Sequence, residues 1–212
     1  MPLWRRGRLI SKGNERSSLL NFNVKKCRDC LPDSSCIYIF LTIIFSTMNE
    51  LIIAQAVKVD LPIILDIQRK AFIEVAMTFN LKSMPQIEQT LESLNDEFIN
   101  CTILKASIVN TIVGSVRAYN NNDTCFISKL IVLPENQNRG IGKALMKAIE
   151  NKFRNIVRRY ELFTGARDPR NLYLYDQLGY KSFKTEKYNN VISYVYMEKA
   201  LYTPDKPRIP EK

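Results

Sequence analysis

Two glycines at the boundary between a strand pattern and a helix pattern mark the place where this chain is best suited to hold an anion. Gly140 and Gly142 lie between an apolar run and an amphipathic stretch. Glycine lets the backbone approach a ligand closely, and the unpaired N–H groups at the start of a helix favour negative charge. Arg139 and Lys143 add positive charge to the same turn. The turn is therefore predicted to be a cradle for a pyrophosphate group.

Two other phosphate-binding loops fit this turn poorly. The glycine spacing is not the six-residue fingerprint of dinucleotide-binding proteins, and no Gly-Lys-Ser/Thr ending supports an NTPase loop. A purely structural role stays open, because two small residues can also let a helix pack closely against a sheet.

The chain has 212 residues and no His, which restricts its chemistry. The absence excludes Ser–His and Cys–His pairs, a His general base and zinc sites with imidazole ligands. Catalysis has to use carboxylates, Tyr, Lys, Cys, backbone amides or a cofactor. Cys27 and Cys30 have the spacing of one zinc-binding pair, but a second pair is missing, so no metal site is expected. No disulfide framework is indicated, which predicts a reducing, cytoplasmic compartment.

The positive charge is concentrated at the N-terminus. Residues 1–47 hold eight bases and three acids, which is half of the net charge of +10. The rest is diluted over the remaining chain, which argues against a nucleic-acid-binding protein. The apolar run 36–45 would span about 15 Å as a helix, too short for a hydrocarbon core of about 30 Å, and no membrane span is expected. We expect a basic appendage at 1–47, disordered or an early start assignment, one domain at 48–202, and an irregular tail at 203–212.

The spacing of apolar residues predicts the elements that position the glycine turn. Helices are expected at 61–78, 86–98, 139–156 and 169–178, and strands at 51–57, 102–108, 111–119, 125–133, 160–164, 180–187 and 191–197. This order predicts a mixed α/β fold around one sheet.

Two segments resemble one protein family. Residues 132–145, with Pro134, Gln137, Gly140 and Gly142, resemble the acetyl-CoA-binding motif of the GNAT superfamily of N-acetyltransferases. Residues 171–180 resemble the second motif of that family, Asn-x-x-Leu-Tyr-x-x-x-Gly-Phe/Tyr. The resemblance covers 126–180, and the element order extends it to 49–200. It implies the acyl-CoA N-acyltransferase fold, with a mixed, mostly antiparallel central sheet and about four flanking helices.

The resemblance also implies acetyl-CoA as the acyl donor, no metal, and a set of site residues. Backbone groups of Leu130, Ile131 and Val132 would pair with the pantetheine arm, and Asn171 would contact the cofactor. The pyrophosphate would be held by the turn formed by Gln137, Asn138, Arg139, Gly140, Ile141, Gly142 and Lys143. An N–H near Leu130 would stabilise the oxyanion. Tyr175 would act as general acid, because a phenol stays protonated at neutral pH and can donate to the leaving thiolate.

The general base stays open among Glu74, Asp123 and Glu161. Glu161 is favoured, because it lies on the strand between the two motifs. The acceptor pocket is expected to come mainly from the two early helices, with Phe72, Met77, Phe79 and Tyr119 as candidates.

The sequence thus predicts an N-acetyltransferase that transfers an acetyl group from acetyl-CoA to a primary amine by direct attack. The alternative is a non-catalytic acyl-CoA-binding or sensing module on the same fold. The acceptor is expected to be an amine of a small molecule or a protein, and a homodimer stays open.

Overall fold

The computed structural model describes residues 50–78, 80–81, 84–188 and 192–201. The basic appendage at 1–47, the tail at 203–212 and Phe79 lie outside these residues, and their predictions stay predictions. The described residues form one sheet with helices on both faces.

Seven strands form the sheet. They are β1 (Leu51–Gln55), β2 (Thr102–Ile108), β3 (Thr111–Asn121), β4 (Thr124–Val132), β5 (Arg159–Gly165), β6 (Lys181–Lys187) and β7 (Ser193–Ala200). Their order in the sheet is β1-β2-β3-β4-β5-β7-β6. All neighbours are antiparallel except β4 and β5, which are parallel. The expected mixed, mostly antiparallel α/β fold is confirmed.

Five α-helices are present among the described residues. They are α1 (Leu61–Thr78), α2 (Pro85–Glu88), α3 (Leu91–Asn100), α4 (Ile141–Phe153) and α5 (Pro169–Gln177). The prediction of a single helix at 86–98 is wrong, because one helix ends at Glu88 and a second begins at Leu91. Gln89 has an extended ψ of 130°, and the Thr90 hydroxyl accepts a hydrogen bond from the Ser93 N–H as the cap of α3.

The core has two parts, one on each face of the sheet. Leu145 and Ile149 of α4 pack with Tyr175 of α5 against one face. Ile64 of α1 and Leu94 of α3 pack against the other. The adjacent residues Ile103 and Leu104 of β2 enter different parts, as the alternation of side chains along a strand requires.

Candidate functional site

The strands β4 and β5 part from each other within the sheet. They pair at three positions only, Thr124 with Arg159, Cys125 with Tyr160 and Phe126 with Glu161. Beyond these pairs β4 and β5 both continue without pairing to each other. Backbone N–H and C=O groups along the two facing edges are therefore available to an extended ligand, as for an added strand. We call this gap the β4–β5 opening; the predicted residues 130–132 lie on its β4 edge.

A bulge distorts β4 beside the opening. The pairing register places two residues of β4, Lys129 and Leu130, opposite the single residue Val116 of β3. Lys129 has a φ of 49°, in the left-handed region. This conformation costs a non-glycine residue about 1–2 kcal/mol. A bulge leaves one residue out of the strand ladder, so backbone groups at Lys129 and Leu130 are available to a ligand.

Helix α4 begins at a turn that requires glycine. Gly140 caps the helix with a φ of 77°, where side chains are disfavoured. The Ala144 N–H donates to the Gly140 carbonyl at 2.9 Å as the first bond of the helix. The preceding N–H groups have no acceptor within the helix. Together with the exposed side chains of Arg139 and Lys143, they give this end of α4 a positive polarity that favours an anion.

Gly142 brings this turn and the β4 edge together. A Cβ at position 142 would lie 3.6 Å from Leu174 Cδ2 and 3.8 Å from Leu130 Cδ2. The first turn of α4 therefore lies directly against the edge of β4 and against α5. Gln137 fixes the turn from the other side, since its Nε2 donates to the Val132 carbonyl at 3.3 Å. The two segments predicted to bind the cofactor are thus contiguous.

Tyr175 is the buried phenol of α5 and is 6% exposed. The neighbouring Tyr160 hydroxyl donates to the backbone carbonyl of Glu150 at 2.6 Å, and the Tyr180 hydroxyl donates to the Glu150 carboxylate at 2.9 Å. Within the described ranges, the hydroxyl of Tyr175 has no such acceptor. Burial raises the pKa of Tyr175 above its usual value, and the charge of Asp168 adds to the rise. The Tyr175 hydroxyl therefore stays protonated at neutral pH and has a proton to donate.

Asn171 takes part in the cap of the same helix. Its backbone N–H donates to Asp168 Oδ1 at 3.1 Å, and its side-chain Nδ2 donates to Asp168 Oδ2 at 2.8 Å. This contact fixes the start of α5 beside the opening. The contact of Asn171 with a cofactor stays a prediction.

Glu161 lies on the opposite face of the sheet from Tyr175. Its neighbours in β5, Tyr160 and Leu162, enter the core below α4 and α5, so Glu161 points to the other face. Its carboxylate pairs with the Arg159 guanidinium, which also holds Glu198 at 2.7 Å. Two carboxylates therefore share one cation at the closed end of the opening.

The other two candidates for the base lie elsewhere. Asp123 precedes β4 at the closed end of the strand pair and binds Arg158 at 3.3 Å. Glu74 lies exposed on α1. Neither lies along the β4–β5 opening.

Both the sequence and the fold of this chain are similar to those of known proteins. The family model described as acetyltransferase (GNAT) domain matches residues 72–201, more than half of the chain. The chain belongs to the GNAT acetyltransferase family. No curated protein matches the sequence at a significant level.

Solved GNAT structures share the fold. The ribosomal-protein-S18-alanine N-acetyltransferase of Escherichia coli is 14% identical, with a TM-score of 0.62 over 76% of this chain and 100% of that one. The PaiA N-acetyltransferase of Thermoplasma acidophilum, solved with coenzyme A, is 18% identical, with a TM-score of 0.61 over 71% and 99%. A GNAT acetyltransferase of Elizabethkingia anophelis with acetyl-CoA bound is 20% identical, with a TM-score of 0.56 over 71% and 98%.

A partly buried polar cluster, which was not predicted from the sequence, lies beside the bulge of this GNAT domain. Glu97 of α3 accepts hydrogen bonds from Lys129 Nζ at 2.6 Å and from Gln89 Nε2 at 2.9 Å, and it pairs with Arg117 of β3. Arg117 also donates to Gln68 Oε1 at 2.6 Å. We call these five residues the Glu97 cluster. It contains two cations and one carboxylate.

A signal for the Glu97 cluster was present in the sequence. Gln68 stands where the helical spacing of Ile64 and Leu65 calls for an apolar residue, and it is fully buried. Arg117 interrupts the apolar run of β3 and is 1% exposed. Buried polar groups need partners, so two such interruptions predict a polar contact.

An aromatic surface covers the outer face of β5, β7 and β6. Cross-strand pairing puts Phe163, Tyr194 and Tyr196 on the same face as Glu161. Phe163 lies 5.1 Å from Tyr194 and 5.6 Å from Tyr196 between ring centroids. Phe183 and Tyr188 extend this surface and are 47% and 63% exposed. The surface begins at Phe163, just beyond the last pair that joins β5 to β4.

The predicted acceptor-pocket residues occupy different environments. Tyr119 stacks on Phe126 at 5.2 Å, on the face that carries Glu161. Phe72 packs against the core formed with α1 and α3. Met77 is 77% exposed.

Two further properties concern metals and membranes. Over the described ranges, no three His, Cys, Asp or Glu side chains come together as a metal site would require. Within the same ranges, no helix has the length and hydropathy needed to cross a membrane.

Proposed function

We propose that this GNAT protein transfers an acetyl group from acetyl-CoA to a primary amine by direct attack. The observation that supports this most strongly is the contact between the glycine turn and the β4–β5 opening at Gly142. It places a diphosphate-binding helix end next to an unpaired strand edge, which suits a ligand with a diphosphate and an amide-containing arm.

The donor would bind along this contact. Backbone N–H groups of the turn from Gln137 to Lys143 would hold the diphosphate, and the Arg139 and Lys143 side chains would add charge. Backbone groups of residues 130–132 would pair with the pantetheine arm. The coenzyme A and acetyl-CoA complexes among the solved GNAT structures support this assignment.

The reaction would proceed in one transfer. The neutral amine nitrogen attacks the thioester carbon, and the carbonyl oxygen takes negative charge beside the Leu130 N–H. The carbon–sulfur bond then breaks, and the thiolate takes the proton of the Tyr175 hydroxyl. The nitrogen of the tetrahedral adduct loses its proton through water to Glu161, the candidate base, which lies in the last pair between β4 and β5. Tyr175 regains a proton from solvent once coenzyme A has left.

The acceptor would approach from the face that carries Glu161 and the aromatic surface. Aromatic faces and carboxylates attract a protonated amine before it loses its proton. The acceptor is an amine of a small molecule or a protein, and the reaction needs no nucleic acid and no metal. A homodimer is compatible with this approach if the aromatic surface stays open.

We also propose a cytoplasmic site of action. Cys101 and Cys125 are both free thiols. Burial raises the pKa of Cys125 to about 12, so this thiol stays protonated and unreactive.

Isothermal titration calorimetry of the full chain with acetyl-CoA tests the proposal. We expect micromolar binding that is lost in Gly142→Glu, because the new side chain would occupy the contact with β4. Asn151→Glu is the matched control: it adds the same charge at an exposed position of α4 and should bind as the wild type does. Failure of the folded wild type to bind would contradict the proposal.

A measurement of turnover distinguishes the acetyltransferase from the non-catalytic binding module. Release of coenzyme A is measured with a thiol reagent across a panel of primary amines. Acetyl-CoA binding without release on any amine would favour the non-catalytic alternative.

A further inference from the structure

Lys129 joins the bulge of β4 to the Glu97 cluster. Its backbone supplies the left-handed residue of the bulge, with a φ of 49°. Its Nζ donates to Glu97 Oε1 at 2.6 Å and to Gln89 Oε1 at 3.1 Å. One residue therefore contributes both the unusual backbone and the side-chain attachment.

The attachment reaches elements far from β4 in sequence. Glu97 belongs to α3, and Gln89 lies in the break between α2 and α3. Gln89 Oε1 also accepts from Gln68 of α1 at 2.9 Å. The bulge is thus tied to the helices that cover the opposite face of the sheet from α4.

A strained backbone persists only where the surroundings hold it. Glycine adopts a φ of 49° freely, whereas lysine gains nothing from it. The hydrogen bonds of the Lys129 ammonium are the contacts that can compensate. The ammonium itself is occupied by Glu97 and Gln89, so Lys129 acts through its backbone.

We propose that the Lys129–Glu97 ion pair holds the β4 bulge, and that Lys129 thereby positions the Leu130 N–H for the acyl oxygen of acetyl-CoA. Lys129 is a positioning residue in this assignment. The role toward the acyl oxygen rests on the proposed function, whereas the anchoring of the bulge does not.

The test compares Lys129→Met with Lys105→Met in the full chain. Lys105 is a matched control, because its ammonium binds Asp60 at 2.7 Å and its side chain is 22% exposed, against 21% for Lys129. Lys105 lies on β2, away from the opening. Lys129→Gly is the second variant. It also removes the ion pair, but glycine adopts the left-handed backbone without the free-energy cost that a side chain imposes.

Two readouts are used. Amide hydrogen exchange is measured over residues 126–132 and over residues 102–108. Dissociation constants are measured separately for acetyl-CoA and for coenzyme A, because only acetyl-CoA carries the acyl oxygen. A merely structural loss would weaken both ligands alike.

We expect Lys129→Met to speed exchange about tenfold over 126–132 and to leave 102–108 unchanged. It should weaken acetyl-CoA about fivefold relative to coenzyme A, the loss of one hydrogen bond. Lys129→Gly should lose less than Lys129→Met on both measures, and Lys105→Met should leave the ratio of the two affinities unchanged.

A folded Lys129→Met variant with wild-type exchange over 126–132 overturns the anchoring. Faster exchange with an unchanged affinity ratio overturns the positioning of Leu130. If the wild type binds neither ligand, the proposed function fails, and the exchange measurement still decides whether Lys129 holds the bulge.

Discussion

Phe126 and Glu161 are the last residues that pair β4 with β5. The Phe126 ring stacks on Tyr119, and the Glu161 carboxylate is held by Arg159. The closed end of the opening is therefore fixed from both sides by side chains on one face of the sheet. Under the proposed function, the thioester would stop at this closed end and the amine would meet it there.

Substitution of Tyr175 by Phe should lower kcat about 100-fold, as expected for the loss of a general acid. The dissociation constant of acetyl-CoA should stay within about twofold, because the hydroxyl acts on the leaving thiolate. Tyr173→Phe is the matched control, since Tyr173 lies on the same helix and is 69% exposed. Equal turnover in Tyr175→Phe and the wild type would remove Tyr175 from the mechanism.

The pH profile offers a second check on Tyr175. Burial raises the pKa of its phenol above the usual value of about 10. The protonated form is thus retained at every pH below that value. Coenzyme A release by the wild type should show no loss of activity from Tyr175 as the pH rises to about 10; an ionisation near neutral pH that disappears in Tyr175→Phe would contradict this.

Alanine at the two turn glycines should give different results. Gly140→Ala places a side chain at a φ of 77° and should reduce the free energy of unfolding by about 1 kcal/mol. Gly142→Ala meets only ordinary contacts at 3.6 Å and beyond, and alanine is favoured over glycine within a helix, so stability should not fall. Urea denaturation measures both changes. Equal losses would show that the conformation of Gly140 is not the reason for its glycine.

Glu97→Gln should destabilise the fold by about 2 kcal/mol, because it leaves Arg117 and Lys129 without a counter-charge. The value is below that of a fully buried pair, since the Glu97 side chain is 34% exposed. Asp66→Asn, in the exposed pair with Lys70, should cost no more than about 0.5 kcal/mol. Urea denaturation at pH 7 compares them, and similar losses would mean that the cluster carries no special weight.

Glu97→Gln should also change how the free energy of unfolding depends on pH in the acid range. Burial alone would raise the pKa of Glu97, but the hydrogen bond from Lys129 and the charge of Arg117 outweigh it, and the pKa lies below its ordinary 4.5. A lowered carboxyl pKa contributes stability above the ordinary value and loses it as the pH falls through the folded-state pKa. The wild type should therefore lose stability below about pH 4.5 more steeply than Glu97→Gln. Parallel curves from pH 6 to pH 3 would exclude this contribution.

Phe163→Ala should raise the KM for the acceptor amine several-fold and leave the KM for acetyl-CoA unchanged. Phe163 is 48% exposed and begins the aromatic surface beside the opening, so its loss removes contact area for the acceptor only. Ile52→Ala, at an exposed position of the opposite edge strand β1, is the control. A rise in the KM for acetyl-CoA alone would assign Phe163 to the donor side.

The parts of the site that depend on neighbouring residues were predictable from the sequence. The glycine pair before an amphipathic stretch and Pro169 at the start of a helix pattern are local signals, and the structure begins the two helices at Ile141 and Pro169. The break before α3 had a signal too, because Thr90 is a cap residue with Ser93 three positions on. The apolar stripe continues across this break, which is why a single helix at 86–98 was predicted.

The Glu97 cluster and the β4–β5 opening depend on distant residues and could not be predicted in the same way. Arg117 and Gln68 are 49 positions apart, and no local sequence pattern indicates that they form a hydrogen bond with each other. The separation of β4 from β5 after Phe126 depends on how two strands pair that are far apart in sequence, with helix α4 between them. The bulge at Lys129 is equally hidden, because a lysine gives no hint of a left-handed backbone.

The strand order has a consequence for biosynthesis. Among the described residues, the last strand along the chain is β7, and it lies between β5 and β6. During synthesis the N-terminal part of a protein emerges first, so β5 and β6 leave the ribosome before the strand that separates them. Until residues 193–200 follow, β5 and β6 both lack β7 as a pairing partner, and this side of the sheet cannot form. A nascent chain stopped before Ser193 should therefore be recognised by proteases and chaperones as unfinished, although every residue of the glycine turn and Tyr175 is already present.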